Sequence, residues 1–140
     1  MGQEHKPLPE GVHTVVLGMG DLNALLRGKR IPAENWANIC ESGMAMSNAT
    51  FAIDMTCDVW DTPYTNWDTG YPDMHVMPIG EVHPIPWEEG VVYSFAEVVG
   101  ADHQPLAIDP RAALVRVLQK AAAMGYEVRI GTELEFYLLD

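Results

Sequence analysis

The sequence predicts an α+β chain in two parts: a small mixed β unit with one helix over residues 1–108, then a helix and strand over residues 109–140 that belong to a larger unit. Three observations carry this. Two stretches, "VHTVVLG" and "GVVYSFAEVV", alternate or run apolar over strand-like lengths. One long helical pattern opens at Asp109-Pro110. The closing run, "GTELEFYLLD", is strand-like but carries two glutamates one residue apart.

The elements follow in order. "VHTVVLGMGDLNALLRGKRIP" reads as two strands around a turn at Gly18 to Asn23. Its Arg-Gly-Lys lacks the upstream glycine spacing of a phosphate loop, so the hairpin reading stands. "PAENWANICESG" reads as a short helix. Pro32 suits its first turn, Trp36, Ile39 and Cys40 share a face, and Gly43 suits its stop. "ATFAIDMTCDVW" is strand-like. From Asp61 to Trp87 five prolines argue against a long helix or central strand and point to a functional loop bearing Trp60, Trp67 and Trp87. "GVVYSFAEVVGADHQPLAID" reads as a hairpin turning at Gly100 to Gln104. Asp109 then caps a helix with Pro110 in its first turn; Leu114, Val117, Leu118 and Ala121 form its apolar face, and Gly125 ends it. A final strand is expected from Tyr126 to Leu139.

Composition narrows the function. The chain has 140 residues, 48% of them hydrophobic, enough for a core. Eight basic against twenty acidic residues give a net charge of −12, which argues against nucleic acid and anionic membrane surfaces as partners. No apolar run reaches the roughly 20 residues of a membrane helix, and "MGQEHKPLPEG" lacks the basic and apolar regions of a signal peptide. Lys6 stands where a myristoylation signal has Ser or Thr. A cytoplasmic protein is expected. Cys40 and Cys57 have no zinc or redox spacing and read as reduced, packed thiols. His5, His13, His75, His83 and His103 show no ligand spacing and read as surface or loop residues.

In a strand, Glu133 and Glu135 share a face, with Cα atoms about 6.6 Å apart. Val128, Ile130, Leu134, Phe136 and Leu138 take the other face and read as buried. The glutamates are either incidental charges on a solvated face or paired carboxylates lining a cavity. Hard divalent cations prefer oxygen ligands, and paired metals suit phosphoryl transfer.

Four ordered motifs carry a resemblance that decides between these. "GTELEFYLLD" resembles the Gly-x-Glu-x-Glu-Phe-(Phe/Tyr)-Leu strand that opens the catalytic sheet of the glutamine synthetase family. "DPRAALVRVLQKAAAMGYEV" resembles the helix before it. "VVLGMGDLNALLRGKRIPAENW" is similar to the family's first hairpin, and "DMHVMPIGEVHPIPW" to the end of its amino-terminal domain. The resemblance covers nearly the whole chain beyond the first ten residues. It implies a β-grasp-like amino-terminal domain over 1–108 and, over 109–140, the start of a glutamine synthetase-type catalytic α/β domain, truncated here. The chain then reads as an amino-terminal fragment or a truncated reading frame, inactive alone. The implied reaction is ATP-dependent: glutamate is phosphorylated at its γ-carboxylate, and ammonia or an organic amine displaces phosphate. Glu133 and Glu135 would bind Mg2+ or Mn2+, Glu133 nearer the ATP phosphates and Glu135 nearer the substrate carboxylate. A ring-shaped homo-oligomer is implied for the complete protein. The competing reading is a non-catalytic β-grasp module for assembly or binding.

The match departs from glutamine synthetases proper in one loop. Those carry Asp-Gly-Ser-Ser followed by Gly-Trp, with the aspartate reaching a neighbouring subunit's ammonium site. Here the stretch is "IDMTCDVWDTP": Asp54 falls at the matching aspartate and the Gly-Ser-Ser is gone. Asp73 corresponds to a later aspartate of that loop. Both are expected at the amine end of the catalytic site. The altered loop looks more like family members that use larger amines such as polyamines, and Trp60, Tyr64, Trp67 and Tyr71 are candidates for an aromatic amine pocket.

Overall fold

The computed structural model describes residues 7–139. Its centre is a five-stranded mixed sheet. β1 (Thr14–Gly20) and β2 (Leu26–Pro32) form the expected first hairpin. Its turn falls later than expected, at residues 21–25, because Asp21 closes it: Asp21 Oδ1 accepts from the backbone N–H groups of Asn23 and Leu25, both at 2.8 Å. A single 3-10 turn, Ala33–Asn35, leads into α1 (Trp36–Ser42). Gly43 ends α1 at φ 75°, a left-handed value that glycine adopts without penalty. β3 (Met44–Ser47), β4 (Asp73–Pro84) and β5 (Val91–Val99) complete the sheet in the order β2-β1-β5-β4-β3. β1 and β5 run parallel, and the other neighbours antiparallel.

One face of the sheet makes the core. Val15, Leu17, Val76 and Val98 are fully buried there, with Met74, Val92 and Ala96 beside them. α1 covers this face, laying Trp36 and Cys40 into the same cluster and packing against β4. Burial, with Glu41 as a lesser cause, raises the Cys40 thiol to about 11, as expected of an inert packed cysteine. Cys57 differs from expectation: it is a free thiol on the exposed surface.

The region read as irregular holds the longest strand. β4 spans Asp73–Pro84, lies between β3 and β5, and includes the buried Pro78 paired with Ala96. Two features let a central strand keep this proline. Pairing with β3 ends at Val76, so one flank of β4 has no ladder beyond it. A register irregularity then follows between Ile79 and His83, around Gly80 at φ 70°. The irregular stretch is therefore shorter, over residues 53–72. The run "ATFAIDMTCDVW", which leads into it, was expected to be a strand but gives a 3-10 helix, Asn48–Ala52, and then one bridge between Ile53 and Val59. Ser47 turns the chain there, its Oγ accepting from Ala49 N at 3.2 Å while its carbonyl accepts from Thr50 Oγ1 at 2.8 Å. The hairpin after Gly100 is likewise reduced to one bridge, Val99 with Pro105.

α2 (Pro110–Ala123) begins where the sequence places it. Asp109 accepts from the backbone N–H groups of Arg111 (3.0 Å) and Ala112 (3.2 Å), Pro110 follows, and Gly125 lies just beyond the helix at φ 83°. Burial raises the Asp109 carboxyl above its usual value, against the pull of these hydrogen bonds. The helix's expected apolar face is open, with Leu114 and Val117 exposed. The expected last strand is also corrected. Residues 126–139 carry no assigned strand, and Val128, Ile130, Leu134, Phe136 and Leu138 are exposed rather than buried. A strand exists only when another pairs with it, and none of the described residues pairs with this segment.

The first hairpin contains a position that only glycine can fill. Gly28 faces Gly18 across β1 and β2, and a Cβ on Gly28 would lie 1.9 Å from the Leu17 carbonyl oxygen. Gly28→Ala should therefore cost about 1–3 kcal/mol through forced strand separation. A denaturation midpoint equal to that of the unaltered protein would contradict this.

Candidate functional site

The loop around Asp54 is built by hydrogen bonds from short-range neighbours. Asp54 Oδ1 accepts from Thr56 N (2.8 Å), Thr56 Oγ1 (2.8 Å) and Asp58 N (3.0 Å). Asp54 Oδ2 accepts from the Trp60 indole N–H at 3.0 Å. These donors favour the charged carboxylate. The Trp60 bond leads, then Thr56, and together they lower Asp54 to about 2.

A second layer ties this loop to the first hairpin. Arg27 donates from Nε to Asp21 Oδ2 at 2.8 Å and from Nη2 to the Asp54 carbonyl at 3.1 Å. Asn23 Nδ2 donates to the Ile53 carbonyl at 3.0 Å. Asp21 is buried. Burial alone would raise its carboxyl, but the Arg27 bond and the backbone donors Leu25 and Asn23 outweigh that, and the net shift is downward. Asp21, Arg27, Thr56 and Asp58 were missed by the sequence reading. The signals existed: opposite charges flanking a turn, and acceptor or donor side chains two and four residues after Asp54, the spacing of an Asx-turn.

Acid should dismantle this loop. With a folded value near 2 and an ordinary value of 3.8, the Asp54 contribution is complete above pH 3.8 and is lost as pH falls through 2. The Trp60 indole N–H resonance should shift across that window, and the shift should vanish in Asp54→Asn. A Trp60 resonance that ignores pH would break the link.

The other expected residues are placed as follows. Asp73 is exposed at the start of β4, paired in register with Ser47. Glu133 and Glu135 are both exposed on the irregular segment. No three His, Cys, Asp or Glu side chains converge on a metal-sized site among the described residues. Two exposed carboxylates suit the oxygen preference of Mg2+, but they supply only part of its six-ligand shell. The structure therefore does not bring Glu133 and Glu135 together with Asp54 or Asp73 in one site.

Of the aromatics, Trp60, Tyr64 and Trp67 are exposed. Trp67 meets Tyr71 edge to face at 5.4 Å, and Tyr71 Oη donates to Asp61 at 3.4 Å. The loop's base is fixed: Thr65, fully buried, donates to Asn48 Oδ1 at 2.6 Å, and Asn48 Nδ2 donates to the Tyr64 carbonyl. His13, His83 and His103 are exposed, and His75 stacks on His103 at 5.9 Å. His5 and Lys6 lie outside the described residues. Among those described, no helix is long and apolar enough to cross a membrane.

Comparison with known proteins supplies the family. The profile of the glutamine synthetase catalytic domain matches residues 107–140. Glutamate–isopropylamine ligase of a Pseudomonas species is 32% identical over 132 residues, which is 92% of this chain and 29% of that one. Gamma-glutamylethanolamide synthetase of Streptomyces coelicolor is 34% identical over 129 residues, 89% of this chain and 28% of that one. Proteins named glutamine synthetase match at 27–29% identity. Among solved structures, unliganded GmaS superposes with a TM-score of 0.65 at 25% identity, covering 82% of this chain and 24% of that one. The chain spans a quarter to three-tenths of the length of the relatives it matches. With mixed-sheet architecture, motif order and alignment in agreement, the chain belongs to the glutamine synthetase family and matches its amine-ligase members as well as the glutamine synthetases.

Proposed function

We propose that the chain is the amino-terminal part of an ATP-dependent glutamate–amine ligase that forms a γ-glutamyl amide through a γ-glutamyl phosphate. One observation carries this reading. Two relatives named for organic amines align with about nine-tenths of the chain at 32–34% identity, and Glu133 and Glu135 fall inside the catalytic-domain match. In this reading residues 1–108 are a β-grasp-like domain and residues 109–140 open the catalytic domain. Glu133 and Glu135 hold Mg2+, with Glu133 on the ATP side and Glu135 on the glutamate side. Bound there, the metal offsets the negative charge that builds on the phosphoryl oxygens. Asp54 and Asp73 belong to the amine end of the site, and the complete enzyme is a ring-shaped cytoplasmic homo-oligomer.

The amine is larger than ammonia. The loop that would enclose ammonium has lost its Gly-Ser-Ser and instead presents Trp60, Tyr64 and Trp67 on a braced scaffold. The complete protein should be assayed for phosphate release with glutamate, ATP, Mg2+ and a panel of ammonia, methylamine, isopropylamine, ethanolamine, putrescine and spermidine. An organic amine should exceed ammonia in kcat/KM by about tenfold or more, as one buried alkyl contact allows. A preference for ammonia would remove the larger amine, and no amine-dependent turnover at all would remove the ligase.

A further inference from the structure

We propose that Trp60 is the residue of this chain that contacts the amine, as a cation–π and alkyl surface, and that Asp54 is the positioning residue that sets its indole. The inference rests on the ligase reading and refines its amine end.

Asp54 has little capacity left to bind an ammonium. A carboxylate offers about four lone-pair sites. Here Oδ1 accepts three hydrogen bonds and Oδ2 accepts the indole N–H. The backbone beneath is held as well. Arg27 grips the Asp54 carbonyl while its own Nε is fixed by the buried Asp21. The carboxylate is a fixed post: Oδ1 is fully engaged inside the loop, and Oδ2 is held against the indole N–H.

The indole is what remains open. Trp60 is 64% exposed although its ring N–H is bonded to Asp54 and its backbone N–H donates to the Ala52 carbonyl at 2.9 Å. Such bonds fix the ring's direction without burying it. A core aromatic would hide its faces, whereas this one presents them to solvent. Among aromatic side chains the indole face attracts a cation most strongly. The local field favours the same sign of ligand: Asp58 and Asp61 flank Trp60 on a chain of net charge −12. Met55 and Val59 are also exposed on this loop and offer apolar surface to a stem. A protonated alkylamine brings both parts, a cation for the ring and a stem for the apolar rim. Ammonium brings only the first, so this surface discriminates by size.

The complete protein tests this through Trp60→Leu, Trp60→Phe, Asp54→Asn and the double variant Asp54→Asn/Trp60→Leu. KM and kcat are measured for isopropylamine, with KM for glutamate and ATP. Trp60→Leu should raise the isopropylamine KM about tenfold, the size of one cation–π contact, and leave the other two within about twofold. Trp60→Phe should recover most of the loss, because a phenyl face keeps the contact. Asp54→Asn should raise the same KM, and the double variant should be no worse than Trp60→Leu alone, because Asp54 acts through the ring. An unchanged KM in Trp60→Leu overturns the proposal. So does a double variant whose effects multiply, which would make Asp54 itself the amine ligand, and so does a Trp60→Phe as impaired as Trp60→Leu. No amine-dependent turnover by the unaltered protein is a different outcome: it overturns the ligase reading, and this inference with it.

Discussion

Glu133→Ala and Glu135→Ala should each lower amide formation by the complete protein about 100-fold or more. Two metal ions set against a phosphoryl group offset several kcal/mol of charge in the transition state, and each 1.36 kcal/mol is a factor of ten. Loss of one carboxylate from a six-ligand shell weakens the ion most dependent on it, so higher Mg2+ should restore part of the rate. The two variants should differ. Glu133→Ala should raise KM for ATP more than for glutamate, and Glu135→Ala the reverse. Folding should not be affected, because both side chains are exposed. Residues 1–140 alone should release no phosphate in response to glutamate and amine, because two carboxylates leave each magnesium site short of ligands and provide no cradle for ATP. Full activity in either variant would return the glutamates to a solvated face. Activity of residues 1–140 that either substitution abolishes would show this segment to be sufficient.

Leu17→Ala should be the most damaging single change to the amino-terminal sheet, at about 2–5 kcal/mol. Leu17 is 0% exposed on β1, which is hydrogen-bonded to β2 on one side and β5 on the other. Neither neighbour can collapse into the space without breaking a ladder, so the cavity persists. Domains of ordinary stability hold about 5–15 kcal/mol, so the loss is a large share of the total. Leu22→Ala is the control. It lies in the same hairpin at 62% exposure and should change stability by less than about 0.5 kcal/mol. Chemical denaturation of the three proteins decides the matter, and similar midpoints for Leu17→Ala and Leu22→Ala would mean that β1 is not the centre of the core.

Much of the fold was readable along the chain where the determining contacts are local. The Asp109-Pro110 start of α2 depends on a carboxylate meeting backbone N–H groups two and three residues away. The glycine stop of α1 and the first hairpin depend on equally short separations. The same holds for the family motifs, which are strings of neighbouring residues. Errors came where distant segments decide. Proline density over residues 61–87 hid β4, because the cost of Pro78 depends on how far β3 extends beside it and on the irregularity after Ile79. Glu133 and Glu135 were placed on a strand by their spacing, but a strand needs a partner, and among the described residues the segment has none.

The sequence by itself determined the family, the α+β character, the Asp109 cap of α2, the glycine stop of α1 and the two glutamates as the residues to test for metal binding. It could do so because caps, alternation and motif strings are set within a few residues of backbone. It did not determine the start of α1, where Pro32 ends β2 and the helix begins only at Trp36. Only the tertiary structure decided that Gly28 has no room for a side chain, that Arg27 joins the first hairpin to the Asp54 loop, and that Asp54 spends its oxygens on that loop while Trp60 stays open. Those facts belong to pairs separated by many residues, such as Arg27 and Asp54. Such contacts exist only once the sheet has brought the segments together, and no periodicity along the chain encodes them.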